Sequence, residues 1–211
     1  GETSAKRLEI LKNAEDEIDS LKKEQQKAEK RYQKAAVSLS KARQRIAKTL
    51  EKDITKALED LNFLSVKFQI EITEEVTMTP DGINRIRFLI STNPGLPLRP
   101  IQDVASGGEL SRIMLAMKSV LADVDHVGSL IFDEIDTGIS GETANRVAKK
   151  MAVISKKHQV IAITHLPQIA AMADSHYYIE KKTDQKETTT KIRKLTEQQS
   201  LEEISRMISG N

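Results

Sequence analysis

The sequence predicts an α/β fold led by one long N-terminal helix, and three features predict it. Residues 2–79 contain no Gly and no Pro. Within them Leu11, Ala14, Ile18, Leu21, Ala28, Tyr32, Ala35, Leu39, Ala42 and Ile46 recur at three- and four-residue spacings, broken only at Gln25 and Thr49. That is the a/d seam of a coiled coil. Further on, short apolar runs alternate with helical patterns, which indicates a largely parallel sheet.

The seam slips by one residue at Leu50, Ile54, Ala57, Leu58 and Leu61. A continuous helix over residues 4–61 would run roughly 85 Å at 1.5 Å per residue. So narrow a stripe cannot close a globular core. Its alanines call for a closely approaching partner helix, and no second heptad segment follows. Val66, Phe68, Ile70 and Ile72, then Ile86, Phe88 and Ile90, alternate with polar residues around Pro80-Asp81-Gly82, predicting a β-hairpin over about 65–91. Asn93-Pro94-Gly95-Leu96-Pro97 reads as loop. Residues 109–122 read as a helix with Leu110, Ile113, Met114, Met117 and Leu121 on its inner face. Leu130–Phe132 and Val160–Thr164 read as buried strands, with a helix over 141–157 between them. A short helix over 167–173, two polar strands at about 176–181 and 188–194, and a helix over 197–208 complete the chain. Two segments result, a coiled-coil arm at 1–61 and a globular lobe at 62–211.

Composition excludes several classes. Apolar residues make up 38% and charged residues 30%, with a net charge of +2. A net charge this small gives no strong overall attraction to nucleic acid. With no cysteine, disulfides and thiolate-bound metals are excluded. No apolar run approaches the roughly 20 residues of a membrane span, so no membrane partner is expected.

Two motifs carry chemistry. Ser106-Gly107-Gly108-Glu109 opens a predicted helix. Ser106 as N-cap and Glu109 as its N3 partner would form a capping box. The glycines, lacking Cβ, would also let backbone N–H groups approach a phosphate at the positive helix end. Asp133-Glu134 ends an apolar strand. The pair could simply close that strand at a polar loop, but the carboxyl end of a strand is where α/β ligands bind. Asp133 could hold Mg²⁺, and Glu134 could orient and deprotonate a water. Asp136-Thr137-Gly138-Ile139-Ser140-Gly141 makes a tight loop. His165 ends the second predicted strand, near Glu134 if the strands are neighbours. No Gly-Lys pair occurs in the chain, so the phosphate loop of a complete ATP site is absent from these residues.

In this order and spacing the motifs resemble the C-terminal lobe of an ABC-type ATPase head. With the heptad helix leading in, the chain resembles the SMC-like family. Ile90–Gly95, Val104–Arg112, Phe132–Gly138 and Thr164–Gln168 are similar to its DNA-repair members. The resemblance covers about residues 62–211, whereas residues 1–61 match only as a returning arm. It implies that Ser106, Gly107 and Gly108, followed by Glu109, form the signature motif that contacts ATP held by a second head. It implies Asp133 as the Mg²⁺ acid, Glu134 as the catalytic base, Asp136 in the D-loop, and His165 as the switch histidine. Ala105 stands where the family usually has Leu. The partners implied are an N-terminal lobe with an outgoing coiled-coil arm, a second head in a homodimer, and DNA, in a cytoplasmic, nucleoid-associated protein that repairs double-strand breaks by recombination. The alternative is a structural dimerisation or tethering module without catalysis. A metal hydrolase built on Asp133, Asp136 and His165 matches no usual zinc spacing.

Residues 22–48 carry ten Lys or Arg against Glu24 and Glu29, a local balance of +8. Two readings stand: a solvated face paired with acids on the partner arm, or a salt-sensitive track for DNA phosphates.

Overall fold

The computed structural model describes residues 2–183 and 188–210, with side chains at 11–181 and 189–210. Residues 1, 184–187 and 211, which the predicted segments include, lie outside the described residues. Helix α1 spans Glu2–Asp60 without interruption. It ends in a left-handed cap. Asn62 sits at φ 69°, its N–H donates to Glu59 O at 2.9 Å, and the Phe63 N–H donates to Leu58 O at 3.1 Å. This is a Schellman pattern with Asn in place of the usual Gly.

Strands β1 (Lys67–Thr79) and β2 (Gly82–Ser91) pair as the predicted hairpin, and the two-residue β3 (Arg99–Pro100) runs antiparallel to β2. A 3₁₀ turn at Ile101–Asp103 leads to α2 (Gly107–Leu121). Then come β4 (Ser129–Phe132), α3 (Gly141–Ile154), β5 (Gln159–Ala162) and a single-turn α4 (Pro167–Ala170). The antiparallel pair β6 (Tyr177–Thr183) and β7 (Thr188–Lys194) precedes α5 (Glu197–Ser209). A complete capping box between Thr196 and Gln199 starts α5.

The described residues form two compact units, Gly1–Thr49 with Glu71–Arg87 and Leu50–Ile70 with Phe88–Asn211. In the first unit the hairpin tip is held to α1 by polar contacts. Tyr32 Oη donates to Thr79 O at 3.1 Å and accepts the Thr79 N–H at 3.0 Å. Arg43 donates to Asp81 O at 2.8 Å, and Asn84 to Ser40 Oγ at 3.1 Å. The buried stripe of this stretch is Ala36, Ser40 and Ala47, one residue out of phase with the predicted seam. The small residues of this stripe let β-strands approach the helix closely. The predicted seam itself stays open, with Leu11 63% and Ile46 59% exposed. Tyr32, placed in that seam by its spacing, is instead engaged with Thr79.

In the second unit the fully buried side chains include Ile54, Leu58 and Leu61 from α1 and its cap, Ile90 from β2, Ile113 and Leu115 from α2, and Val147 and Ile154 from α3. Asn62 Nδ2 donates to Thr143 Oγ1 and Lys150 Nζ to Asp60 Oδ2, each at 3.0 Å, tying the end of α1 to α3.

Three expectations need correction. The parallel sheet is confined to β4 and β5, in register from Ser129↔Gln159 to Phe132↔Ala162; the β2–β3 and β6–β7 pairs are antiparallel. Nor are β4 and β5 buried on both faces. Leu130 and Phe132 are buried, but Ile131 is 69% exposed and Ile161 and Ile163 are exposed too. Alternate residues of a strand face opposite sides, and the described residues cover only one. The inner face of α2 also differs, with Arg112, Leu115 and Ala116 buried beside Ile113 and Met117, while Leu110, Met114 and Leu121 are only partly covered.

Candidate functional site

The parallel register of β4 and β5 brings two chain segments about thirty residues apart to the same end of the sheet. The chain leaves β4 through Asp133 and Glu134 and leaves β5 through Thr164 and His165. Asp136 joins them. It is buried, and its Oδ2 accepts the Thr164 hydroxyl at 2.6 Å and the His165 N–H at 2.8 Å, with His165 Nδ1 at 3.0 Å. Thr164 Oγ1 in turn accepts the Leu166 N–H at 3.0 Å. The imidazole is otherwise largely open to solvent. His165 therefore sits where the sequence places it, beside the acidic loop, but its contact is Asp136 rather than Glu134.

Helix α2 begins against the same loop. Ser106 is its N-cap, accepting the Glu109 N–H at 3.3 Å. Only this half of the expected capping box forms among the described residues; the reciprocal bond, from the Ser106 N–H to the Glu109 carboxylate, is absent. The glycines have a role inside the chain as well. A Cβ on Gly107 would lie 2.1 Å from Glu134 Oε2, and one on Gly108 would lie 2.9 Å from Glu134 O and 3.0 Å from Thr137 O. The loop of acids thus rests directly on the glycine start of α2. Glu134 adopts a left-handed backbone, φ 57°, and its carbonyl accepts the Thr137 N–H at 3.0 Å. The Asp133 carboxylate accepts the Glu134 N–H on Oδ1 at 2.9 Å, and its other oxygen makes no hydrogen bond among the described residues.

Sequence reasoning missed two residues of α2. Ser111 Oγ donates to Asp133 O at 2.7 Å. Arg112 Nη1 donates to Ile135 O at 3.3 Å and to Thr137 O at 2.9 Å, with its guanidinium 5.8 Å from the Phe63 ring centroid. Burial lowers the Arg112 pKa from its ordinary value, and the Glu109 charge opposes that shift; the group stays cationic regardless. The one available signal was its phase, next to Ile113 and three residues before Leu115 on a helix whose other charges lie at its ends.

Among the described residues no three His, Asp or Glu side chains gather to hold a metal by themselves. An exposed carboxylate such as Asp133 suits Mg²⁺, which takes one or two protein carboxylates and completes its shell with water and phosphate oxygens. A phosphate would complement the N–H groups of the α2 start. Among the described residues no helix is long and apolar enough to cross a membrane.

This fold is the one seen in SMC head domains that carry a coiled-coil helix. The chain is similar to the Smc head domain with a coiled coil and joint derived from Pyrococcus yayanosii, at TM-score 0.54 and 19% identity, over 77% of this chain and 30% of that one. It is also similar to the Smc head domain with an extended coiled coil from Pyrococcus furiosus, at TM-score 0.50 and 18% identity, over 81% and 39%. By sequence the chain belongs to the RecN family. It is 40% identical to the DNA repair protein RecN of Bacillus subtilis across 96% of its own length, and 44% identical to that of Rickettsia conorii across 98%. It spans 38% of the length of each of these relatives. No protein-family model matches the chain.

Proposed function

We propose that this chain is the C-terminal half-site of an SMC-like ATPase that acts in the repair of DNA double-strand breaks by recombination. The carrying observation is the Asp136 junction, which gathers Asp133, Glu134 and His165 at one sheet end, against the glycine start of α2. In this reading Ser106, Gly107 and Gly108 present backbone N–H groups to the terminal phosphate of ATP held by a second head, with Glu109 in the first turn of the same helix. Asp133 holds Mg²⁺, which when bound neutralises phosphate charge. Glu134 takes the proton of the attacking water, and Asp136 keeps His165 beside the phosphate. The phosphate loop comes from an N-terminal lobe outside this chain. That the relatives are named DNA repair proteins supports the biological setting, and in it the full protein is cytoplasmic and meets DNA at the nucleoid.

Glu134→Gln in the full protein tests the reading. An amide keeps the shape but cannot accept a proton, and general-base catalysis is worth about 10²–10⁴-fold. ATP binding retained with turnover lost by about that factor is the expected result. Near-normal hydrolysis, or lost nucleotide affinity, refutes the role of Glu134. The exposed apolar stripe of α1 keeps the tethering alternative in play, and full activity loss without any loss of DNA-damage tolerance would favour it.

A further inference from the structure

Arg112 is the most unusual charged residue of the second unit. Its side chain is buried, the residue being 7% exposed, and its only hydrogen bonds among the described residues go to carbonyls, those of Ile135 and Thr137. A buried cation is costly unless its donors are satisfied, and here the satisfying groups are backbone atoms of the acidic loop. These carbonyls flank Asp136, and Ile135 directly follows the left-handed Glu134. Ser111 holds a third carbonyl of the loop, that of Asp133. Carbonyls at 133, 135 and 137 are thus fastened to consecutive residues of α2, and the Thr137 N–H closes the loop onto Glu134 O.

We propose that Arg112 is a positioning residue for ATP hydrolysis, holding the Glu134 carboxylate and the Asp136 junction in register with the glycine start of α2. This rests on the proposed ATPase reading. Arg112 touches neither nucleotide nor water in it. The residue acts through the loop, so that a movement of the α2 start on engaging a phosphate is carried to Glu134 through two side-chain hydrogen bonds to loop carbonyls. Both bonds leave one guanidinium nitrogen, Nη1, whose two in-plane hydrogens serve two carbonyls two residues apart, and a lysine on a flexible stem holds them less rigidly. Without it the left-handed Glu134 relaxes toward an ordinary backbone angle and its carboxylate leaves the water.

The test is a double-mutant cycle in the full protein, with ATP turnover and nucleotide affinity measured for Arg112→Met, Arg112→Lys, Glu134→Gln and the Arg112→Met/Glu134→Gln double variant. A displaced catalytic group costs on the order of 10²-fold, so Arg112→Met should lower kcat by about ten- to a hundredfold while KM for ATP stays within about twofold. Arg112→Lys should recover part of the loss. The double variant should turn over no slower than Glu134→Gln alone, because residues acting through one group are not additive. Additive losses, an unchanged kcat in Arg112→Met, or a KM that rises with the loss would overturn the proposal. If Arg112→Met does not fold, Arg112→Lys carries the same cycle, its kcat falling at constant KM and its loss vanishing in the Glu134→Gln background. Normal hydrolysis by Glu134→Gln alone would reject Glu134 as the base, and absence of ATP turnover in the unmutated full protein would reject the ATPase reading itself, so these failures are distinguishable from that of Arg112.

Discussion

Glu134 holds a backbone angle that non-glycine residues seldom adopt, φ 57°, at a cost of about 1–3 kcal/mol. Its surroundings enforce that angle. The Glu134 carbonyl is held by Thr137 and pressed against Gly108, and the carbonyls on either side are bonded by Ser111 and Arg112. The glycines of α2 are therefore required twice, once by this packing and once by the phosphate approach proposed above. Packing alone can be isolated by stability measurements. Gly108→Ala places a Cβ 2.9–3.0 Å from two backbone carbonyls, neither of which can rotate away, and should cost about 1–3 kcal/mol as overpacking. Gly128→Ala meets nothing within 4 Å and should change stability by less than about 0.5 kcal/mol. Urea unfolding of the two variants side by side checks this, and equal stability of both would remove the packing role.

At the scale of elements, the types and order were legible in the sequence because each carries its own periodicity or cap. The hairpin about Pro80-Asp81, the heptad helix and the Ser106 helix start are examples. What stayed hidden depended on pairings between distant segments. The Asp136–Thr164 bond exists only because β4 and β5 align in parallel register, and nothing local encodes that register. The inner face predicted for α2 leaves out Arg112, because charge usually marks solvent, yet loop carbonyls satisfy it inside. The apolar triads of β4 and β5 read as buried on both faces because nothing local tells which face another layer covers. The heptads of α1 carried two stripes in adjacent phase, and spacing alone could not tell which one meets the hairpin. The open stripe, Leu11, Ile18, Leu21, Leu39 and Ile46, leads to a prediction. Exposed apolar rows of this extent mark contact surfaces, so the isolated chain should self-associate with rising concentration. Replacing Leu21, Leu39 and Ile46 by Gln should abolish the association while leaving Ala36, Ser40 and Ala47 covered by the hairpin. Sedimentation velocity showing a strict monomer at every concentration would contradict it.

For the whole molecule, the proposed reading gives the open face of β4–β5, the open heptad stripe and the absence of a Gly-Lys pair a common explanation, in which its chemistry uses structure contributed from elsewhere. The chain spans 38% of the length of its RecN relatives, which leaves room for the proposed lobe bearing the phosphate loop and for an outgoing helix partner. In the proposed reading residues 62–211 supply one half of a composite ATP site. The most direct measurement is ATP turnover by this chain alone, by the remainder of the full protein alone, and by the two together with Mg²⁺. Background rates are expected for each part and turnover is restored on mixing, then lost again when this chain carries Glu134→Gln. Sustained hydrolysis by the 211-residue chain alone would contradict it.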